Sequence, residues 1–423
     1  MVKKKEASVK AIKGGMLIDG TGAEPIRNAT VVIEGSKIKA VGKGAAIPQA
    51  AEVIDAKGKT VMPGLIDAHM HFYYKGHNMS PRTKGEMLRG LPVHLIQSIS
   101  EGKEVLATGF TMVRDCGGMY GIYIKKAVAE GTITGLPRIV SAGHLISQTA
   151  GHTDYRFLPP ECVDSRSTRH DPFSLVCDGV DECIKAVRHQ LRVGADFVKI
   201  CTGDVQPPDF RGECPDIPEF SMEEINAIVR TAADCGMFVA AHNEGSLIGM
   251  KRSILGGVKT IEHCVMVDQE CAELAKQNGT IFVSTFEILR RLAAAEVTSE
   301  FRYAQKRFGP WAEALFESHK RIHRTGAVLA MGSDYPWARF SMPASELEAL
   351  VKYCDFTPME AIVAATKNGA MACFMGDKTG TIEPGKFADI IIVDGNPLAD
   401  IKILQDVTKI KMVMLEGKIE VTR

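Results

Sequence analysis

The feature that most constrains the fold is an alternation of short apolar runs with helical patterns through the middle of the chain. This alternation is typical of parallel sheets whose strands are joined by helices. The runs that predict strands are Val61–His69, Thr111–Asp115, Arg138–Ala142, Asp196–Cys201, Met237–His242, Thr260–His263, Thr280–Thr285 and Val328–Asp334. Eight such units favour an α/β fold of the (β/α)8 type, a TIM barrel. A doubly wound open sheet is the alternative, but no G-x-G-x-x-G motif follows the first run to support its nucleotide-binding form.

Both ends of the chain contain β-like runs broken by Gly or Pro. They are Thr30–Ile33, Lys37–Val41, Ala51–Asp55 and Lys59–Met62 at the start, and Gly380–Ile382, Asp389–Val393, Ile410–Leu415 and Lys418–Val421 at the end. Because chain termini often lie close together, these runs predict one small β-sandwich domain built from both termini. The predicted division is residues 1–63 and 374–423 for the β-sandwich and residues 64–373 for the barrel. The long connection over residues 144–180 predicts a lid or substrate wall.

Charge and cysteine content exclude several classes of protein. Lys plus Arg number 51 and Asp plus Glu number 51, and a neutral balance argues against nucleic-acid binding, which requires clustered basic charge. The 11 cysteines include no C-x-x-C pair, which is typical of free thiols in a reducing compartment. No run approaches the roughly 20 apolar residues of a membrane span, and no signal-peptide core follows the basic start. We therefore expect a cytoplasmic protein without a membrane partner.

Polar residues at the ends of the predicted strands carry the chemistry. They are His69, His71, Lys199, His242, His263 and Asp334. His69 and His71 are two residues apart, so in a strand both imidazoles face the same way and can reach one metal ion. Each residue also has an ordinary interpretation, such as a chance H-x-H pair, a hydrogen-bonded histidine or a Gly-Ser-Asp turn. Since TIM-barrel enzymes carry their active sites at the C-terminal strand ends, the six together predict a metal site.

The motifs around these residues resemble the amidohydrolase superfamily. The run Val61–His71 is similar to the opening signature of that superfamily, and Lys199, His242, Ile261-Glu-His263 and Gly332-Ser-Asp334 follow in its order. The tail Gly380–Asp389 resembles its return to the β domain. Ser147–Asp154 resembles, more narrowly, the branch of prolidases, Xaa–amino-acid carboxypeptidases and ochratoxinase-like amide hydrolases.

The resemblance implies two divalent metal ions, with zinc expected. His69, His71 and Asp334 would hold one ion, His242 and His263 the other, and Lys199 would bridge them after N-carboxylation by CO2. Neutral imidazoles suit zinc and leave it able to acidify water. By the same resemblance, Asp334 would be the catalytic base, and His152 would stabilise the carbonyl oxygen.

Departures from the branch concern the substrate. His242 is followed by Asn243-Glu-Gly245 where the branch often has an aromatic residue or His. Glu244 would repel a carboxylate and attract a cation, or it caps the following helix. Tyr335 and Trp337 follow the metal Asp and would wall an apolar pocket or pack a loop. His144 is a further candidate substrate contact, with a structural role as the alternative.

Three functions remain open on the sequence. The first is hydrolysis of a dipeptide or N-acyl amino acid by a metal-bridging hydroxide. The second keeps the metals but cleaves a non-peptide amide, urea or carbamate, including phenylureas. The third is a non-catalytic binding protein on the same fold. The expected partner is a small-molecule substrate, and the resemblance implies a homo-oligomer.

Overall fold

The computed structural model describes residues 9–72, 91–154, 174–204, 216–294, 305, 308–335 and 343–423. Its strands are β1 (Val9–Leu17), β2 (Ile26–Glu34), β3 (Lys37–Gly42), β4 (Glu52–Asp55), β5 (Thr60–Pro63), β6 (Leu65–Met70), β7 (Phe110–Asp115), β8 (Arg138–Ser141), β9 (Leu145–Ser147), β10 (Ser174–Val176), β11 (Val198–Gly203), β12 (Val239–Asn243), β13 (Thr260–His263), β14 (Ile281–Ser284), β15 (Leu329–Met331), β16 (Ile390–Val393), β17 (Ile410–Leu415) and β18 (Lys418–Thr422).

Helices follow most strands of the middle segment. They are α1 (Leu91–Ala107), α2 (Tyr120–Ala129), α3 (Gly179–Val193), α4 (Met222–Asp234), α5 (Leu247–Leu255), α6 (Gln269–Asn278), α7 (Phe286–Ala293), α8 (Ala312–Thr325), α9 (Ser345–Tyr353), α10 (Pro358–Ala364) and α11 (Lys367–Ala372). Short 3-10 helices span Gly309–Trp311, Ile401–Gln405 and Val407–Lys409. Capping boxes begin two of these helices, at Ser221 before α4 and at Thr357 before α10. Among the described helices, none has both the length and the apolar character that crossing a membrane requires.

The middle segment forms two sheets of parallel strands. One has the order β10-β9-β11-β12-β13-β14-β15, and the other has the order β6-β7-β8. Asp196 N, just before β11, donates to Ser141 O of β8 at 2.8 Å. At the other junction, Met70 of β6 pairs in parallel with Tyr335, which follows β15. Parallel strands joined by helices and linked at both junctions fit a TIM barrel, so the α/β prediction is confirmed.

The first predicted strand is wrong as a single element. Thr60–Pro63 (β5) belongs to a separate sheet, in which it pairs with β1 and β16. The barrel strand begins only at Leu65. Gly64 separates the two. A Cβ at Gly64 would lie 2.1 Å from Thr111 Oγ1, so glycine lets the chain pass between the sheets at this point.

Strands from both ends of the chain share one sheet. Its order is β18-β17-β16-β5-β1-β2-β3, with β4 also paired to β1. The predicted run at Gly380–Ile382 is wrong, because these residues form no strand. Gly380 has a φ of 89°, which turns the chain, and Ile382 N donates to Asp19 O at 2.8 Å. An ion pair between half-buried Arg138 and buried Asp389, at 2.6 Å, ties the sheet to the barrel.

The packing inside the barrel supports the functional strand ends. One cluster of buried residues includes Met112, Ala240 and Val283. Residues two apart on a strand share a face, so Arg114, His242 and Thr285 lie above these apolar side chains. Close packing of this apolar cluster restricts the rotamers of the polar side chains at the C-terminal ends of the strands. Nine cysteines lie in the described ranges, and none of these nine forms a disulfide bond.

Candidate metal centre

The ends of β6 and β15 bring three predicted ligands together. Asp334 Oδ1 lies 3.3 Å from His71 Nε2 and 3.5 Å from His69 Nε2. One ligand atom from each residue can be chosen so that all three lie within 4.8 Å of one another. Both histidines are buried. This arrangement of two imidazoles and one carboxylate fits a divalent cation.

The other predicted ligands lie against this group. The ring centroid of His263 is 4.6 Å from that of His69 and 4.4 Å from that of His242. Lys199 is buried on β11, and its positive charge contributes to lowering the pKa values of His69 and His263. The structure therefore brings together all six residues predicted from the strand ends.

Two of the strand ends have unusual backbone conformations. His263 has a φ of 73° and Asp334 has a φ of 55°. Residues other than glycine rarely adopt this left-handed region, although aspartate and histidine do so more often than most. Hydrogen bonds hold the turn at Asp334, since Asp334 N donates to His69 O at 2.8 Å. The backbone thus turns at the residues whose side chains form the cluster.

Burial controls the charge of the cluster. Desolvation, with the nearby Lys199 adding to it, lowers the pKa of His69 well below its usual range. Desolvation also lowers the pKa of His263 to about 3. Burial opposes ionisation of Asp334, but the hydrogen bond from His71 and the surrounding imidazoles lower its pKa below the usual range. At neutral pH the imidazoles of His69 and His263 are therefore neutral and the carboxylate of Asp334 is ionised, which are the protonation states that metal binding requires.

Gly332 packs directly against His69, with no space for a side chain. A Cβ at Gly332 would lie 2.5 Å from His69 Cβ and 3.0 Å from Ser284 O. We expect Gly332→Ala to displace His69, to cost about 1–3 kcal/mol of stability and to weaken metal binding. Chemical denaturation and metal titration would measure both effects. Gly44→Ala is the matched control, because a Cβ at Gly44 meets nothing within 4 Å. Equal metal affinity in the two variants would contradict this prediction.

His152 lies beside the cluster in an acidic environment. Its ring stacks on His242 with a centroid distance of 3.8 Å, and its Nδ1 lies 3.1 Å from Asp204 Oδ2. His152 N donates to Glu219 Oε1 at 2.9 Å. Ligand atoms of His152, Asp204, His242 and Glu244 all lie within 4.8 Å of one another. Carboxylates therefore surround the histidine that the sequence predicted to contact the substrate.

The predicted substrate residues lie in different surroundings. Glu244 is buried in the group around His152, and it is not the cap of α5, because Ser246 accepts the capping hydrogen bond from Gly249 N. Tyr335 is buried, and its backbone oxygen accepts from His71 N at 2.8 Å. The ring centroid of His144 lies 5.5 Å from that of His189 on α3. Trp337 lies outside the described residues.

The residues that hydrogen-bond to the predicted metal ligands were not identified from the sequence. Glu262 contacts His69 Nδ1 at 2.7 Å, Arg114 contacts Glu262, and Thr285 Oγ1 lies 2.9 Å from His263 Nδ1. The only signal for Glu262 was its place immediately before His263. Arg114 lies inside the barrel, where it is fully buried.

Comparisons with known proteins agree with this geometry. The model of the amidohydrolase family matches residues 60–419. Ochratoxinase from Aspergillus niger is 33% identical over 437 residues, covering 98% of this chain and 87% of that protein. Its crystal structure has a TM-score of 0.87 at 32% identity, covering 99% of this chain and 97% of that one.

Two further solved structures are similar. A Xaa-Pro dipeptidase with bound methionine has a TM-score of 0.83 at 30% identity, covering 97% of this chain and 99% of that one. Phenylurea hydrolase B has a TM-score of 0.80 at 22% identity, covering 97% and 96%, a likeness that concerns the fold alone. Since the family model matches most of the chain and a relative above 30% identity spans nearly all of it, this chain is a hydrolase acting on carbon–nitrogen bonds and belongs to the amidohydrolase family.

Proposed function

We propose that the chain hydrolyses an amide bond with two divalent metal ions held at the mouth of the barrel. The observation that carries the proposal is the approach of His69, His71 and Asp334, whose ligand atoms lie within 4.8 Å of one another. His242 and His263 would hold the second ion. Zinc is the metal proposed, because neutral imidazole and carboxylate ligands suit it.

The residues present fit such a centre. The imidazoles of His69 and His263 are buried and neutral, and Asp334 is ionised. Hydrogen-bond partners of the two imidazole rings support this fit, since His69 Nδ1 contacts Glu262 and His263 Nδ1 contacts Thr285. Such outer contacts orient a ligand histidine and fix which nitrogen is left to bind the metal.

Lys199 is proposed as an N-carboxylated bridging ligand. Its uncharged amine would attack CO2, forming one N–C bond and releasing one proton, and the product would carry two oxygen donors and a negative charge. The burial of Lys199 between β9 and β12 supports the assignment.

When bound, the metal ions would polarise the carbonyl group and lower the pKa of the attacking water. Asp334 would take a proton from that water and pass it to the departing nitrogen as the C–N bond breaks. His152 would donate a hydrogen bond to the carbonyl oxygen as negative charge develops there. Asp204, 3.1 Å from His152 Nδ1, would hold the ring in that orientation.

The proposed substrates are dipeptides and N-acyl amino acids. The similarity to a Xaa-Pro dipeptidase and to ochratoxinase supports this class. Asp204 and Glu244 favour a second candidate class, the non-peptide amides, ureas and carbamates, because carboxylates beside His152 repel a substrate that ends in a carboxylate.

A substrate screen separates the two classes. Zinc-loaded protein would be incubated with dipeptides, N-acyl amino acids, phenylureas and aromatic carbamates, and the released amines would be identified. We expect release of a free amino acid. Release of anilines alone would instead support the second class. No released amine from any compound, with two metal ions bound, would contradict both.

We also propose that the terminal sheet is a small β-sandwich domain formed by residues 1–63 and 374–423, with residues 64–373 as the hydrolase barrel. Strand β1 supports a sandwich because its pairing changes along its length. It pairs with β4 over Lys10–Lys13 and with β5 over Met16–Leu17, and its register against β2 shifts between these segments. A sheet that changes partners along one strand can fold over on itself.

A further inference from the structure

A buried ion pair lies directly beneath the proposed metal centre. Arg114 Nη2 lies 2.7 Å from Glu262 Oε1 and 2.8 Å from Glu262 Oε2, and both side chains are fully buried. Neither residue takes part in the proton transfers or in the carbonyl contact of the mechanism proposed above. Burying two charges costs free energy, because both lose their contacts with water. A protein with apolar side chains of similar volume in place of a buried ion pair is often equally stable or more stable. Stability alone is therefore a weak reason for this pair.

Glu262 connects the pair to the metal centre. Its Oε2 lies 2.7 Å from His69 Nδ1. Both oxygens of Glu262 accept hydrogen bonds from Arg114 Nη2, so the carboxylate is the acceptor in this contact as well and Nδ1 of His69 is the donor. The lone pair of the imidazole is then on Nε2, the nitrogen that lies 3.5 Å from Asp334 Oδ1. The contact thus aims the correct nitrogen at the proposed metal.

Arg114 holds Glu262 rigidly. Its Nε donates to Ala68 O at 2.5 Å, and its Nη1 donates to Thr260 Oγ1 at 3.0 Å and to Ala372 O at 3.1 Å. Thr260 Oγ1 in turn donates to Glu262 Oε1 at 2.5 Å. The guanidinium also offsets the charge of Glu262, so the carboxylate adds no net negative charge beneath the metal centre.

The backbone explains how neighbouring residues can both contact His69. Successive side chains of a regular strand point to opposite faces, yet Glu262 bonds to His69 Nδ1 while the ring of His263 lies 4.6 Å from that of His69. His263 has a φ of 73°, and Cys264 has a φ of 56°. This turn brings His263 to the barrel mouth, while Glu262 remains inside with Thr260.

A second metal site in this position is a less suitable interpretation. Donor atoms of His69, Cys116 and Glu262 lie within 4.8 Å of one another. Burial, however, raises the pKa of the Cys116 thiol to about 12, and both oxygens of Glu262 are already bound by Arg114. A protonated thiol and a neutralised carboxylate are poor metal ligands.

We propose that Glu262 and Arg114 are positioning residues, which fix the tautomer and orientation of the metal ligand His69. This inference rests on the proposed function, because it requires a metal ion on His69. Outer partners of this kind change metal affinity by about 10- to 100-fold when they are removed.

The test compares metal binding in variants loaded with Co2+ or Zn2+. We expect Glu262→Gln to weaken the His69 metal site by about 10- to 100-fold and to change the visible absorption spectrum of the Co2+ form. A double variant, Arg114→Met with Glu262→Leu, avoids an unpaired buried charge. It should keep a folded apoprotein, measured by circular dichroism and thermal unfolding, and show the same loss of affinity.

Asp389→Asn is the control, because it breaks the half-buried Arg138–Asp389 pair without touching the centre. We expect it to lower the stability of the apoprotein and to leave metal affinity and the Co2+ spectrum unchanged. Wild-type affinity and spectrum in both the Glu262→Gln and the double variant would overturn the positioning role. Failure of the wild-type protein itself to bind metal would instead overturn the proposed function.

Discussion

Replacing Asp334 with asparagine is expected to lower kcat/KM for amide hydrolysis by about 10³-fold, since a positioned general base contributes about 10²- to 10⁴-fold. The proposed role of Asp334 requires an ionised oxygen that accepts a proton from water and returns it to the leaving nitrogen. Asparagine has the same shape but cannot take up that proton. The pKa of Asp334 lies below its usual range, because the His71 hydrogen bond and nearby imidazoles overcome the effect of burial. The carboxylate is therefore ionised throughout the neutral range.

Asparagine is also the substitution that disturbs the backbone least. Asp334 has a φ of 55°, and asparagine tolerates this left-handed region better than most residues other than glycine. Thermal unfolding of the apoprotein should therefore stay close to that of the wild type. Asp196→Asn is the control, because this carboxylate lies before β11, at the other end of the barrel, where it pairs with Lys125. If Asp334→Asn retained wild-type kcat/KM, the proton-transfer role would be wrong.

Replacing Lys199 with methionine should reduce the bound metal from two ions to one for each chain and lower turnover by about 10³-fold. Methionine is one atom shorter than lysine and keeps a flexible apolar chain, so the packing on β11 should be largely preserved. The amine that would carry CO2 is lost, and with it the oxygen ligands shared by the two ions. The lost metal interaction with developing charge corresponds to several kcal/mol of transition-state stabilisation.

Metal content measured by mass spectrometry and turnover measured on the same samples would test this expectation. Lys259→Met is the matched control, because Lys259 is exposed and precedes β13, at the opposite end of the barrel from the site. It should bind two ions and turn over at the wild-type rate. Two ions and full turnover in Lys199→Met would show that the lysine is not a bridging ligand.

The site ligands could be predicted because they occupy regular positions. Each of His69, His242 and His263 lies at or near the C-terminal end of a strand with a clear apolar pattern. Lys199 differs, because it is the second residue of β11. Parallel strands bring such ends to one face of a barrel. Asp334 follows β15, so the same argument applies to it.

The residues that orient the ligands could not be predicted in this way. Arg114 and Glu262 are separated by 148 positions in the sequence, and nothing local pairs them. Both are charged residues in the interior of a barrel, where an apolar residue is the usual expectation. Their contact follows from the order of β6, β7 and β13 in space, which the apolar pattern does not specify.

The first barrel strand was misread for a related reason. Val61–His69 is a nearly continuous apolar run, and periodicity alone does not show where one sheet ends and another begins. Gly64 marks the boundary, because a side chain there would clash with Thr111. Gly332 likewise leaves space for His69, a requirement that is visible only once the strands are placed.

Metal removal tests the central claim most directly. Purified protein would be assayed for metal content and for release of amine from its preferred amide, then treated with a chelator, assayed again and reloaded with Zn2+. We predict two metal ions for each chain before treatment, loss of at least 99% of the activity without them (about 10²-fold) and recovery on reloading. Undiminished amide hydrolysis by metal-free, folded protein would contradict the account.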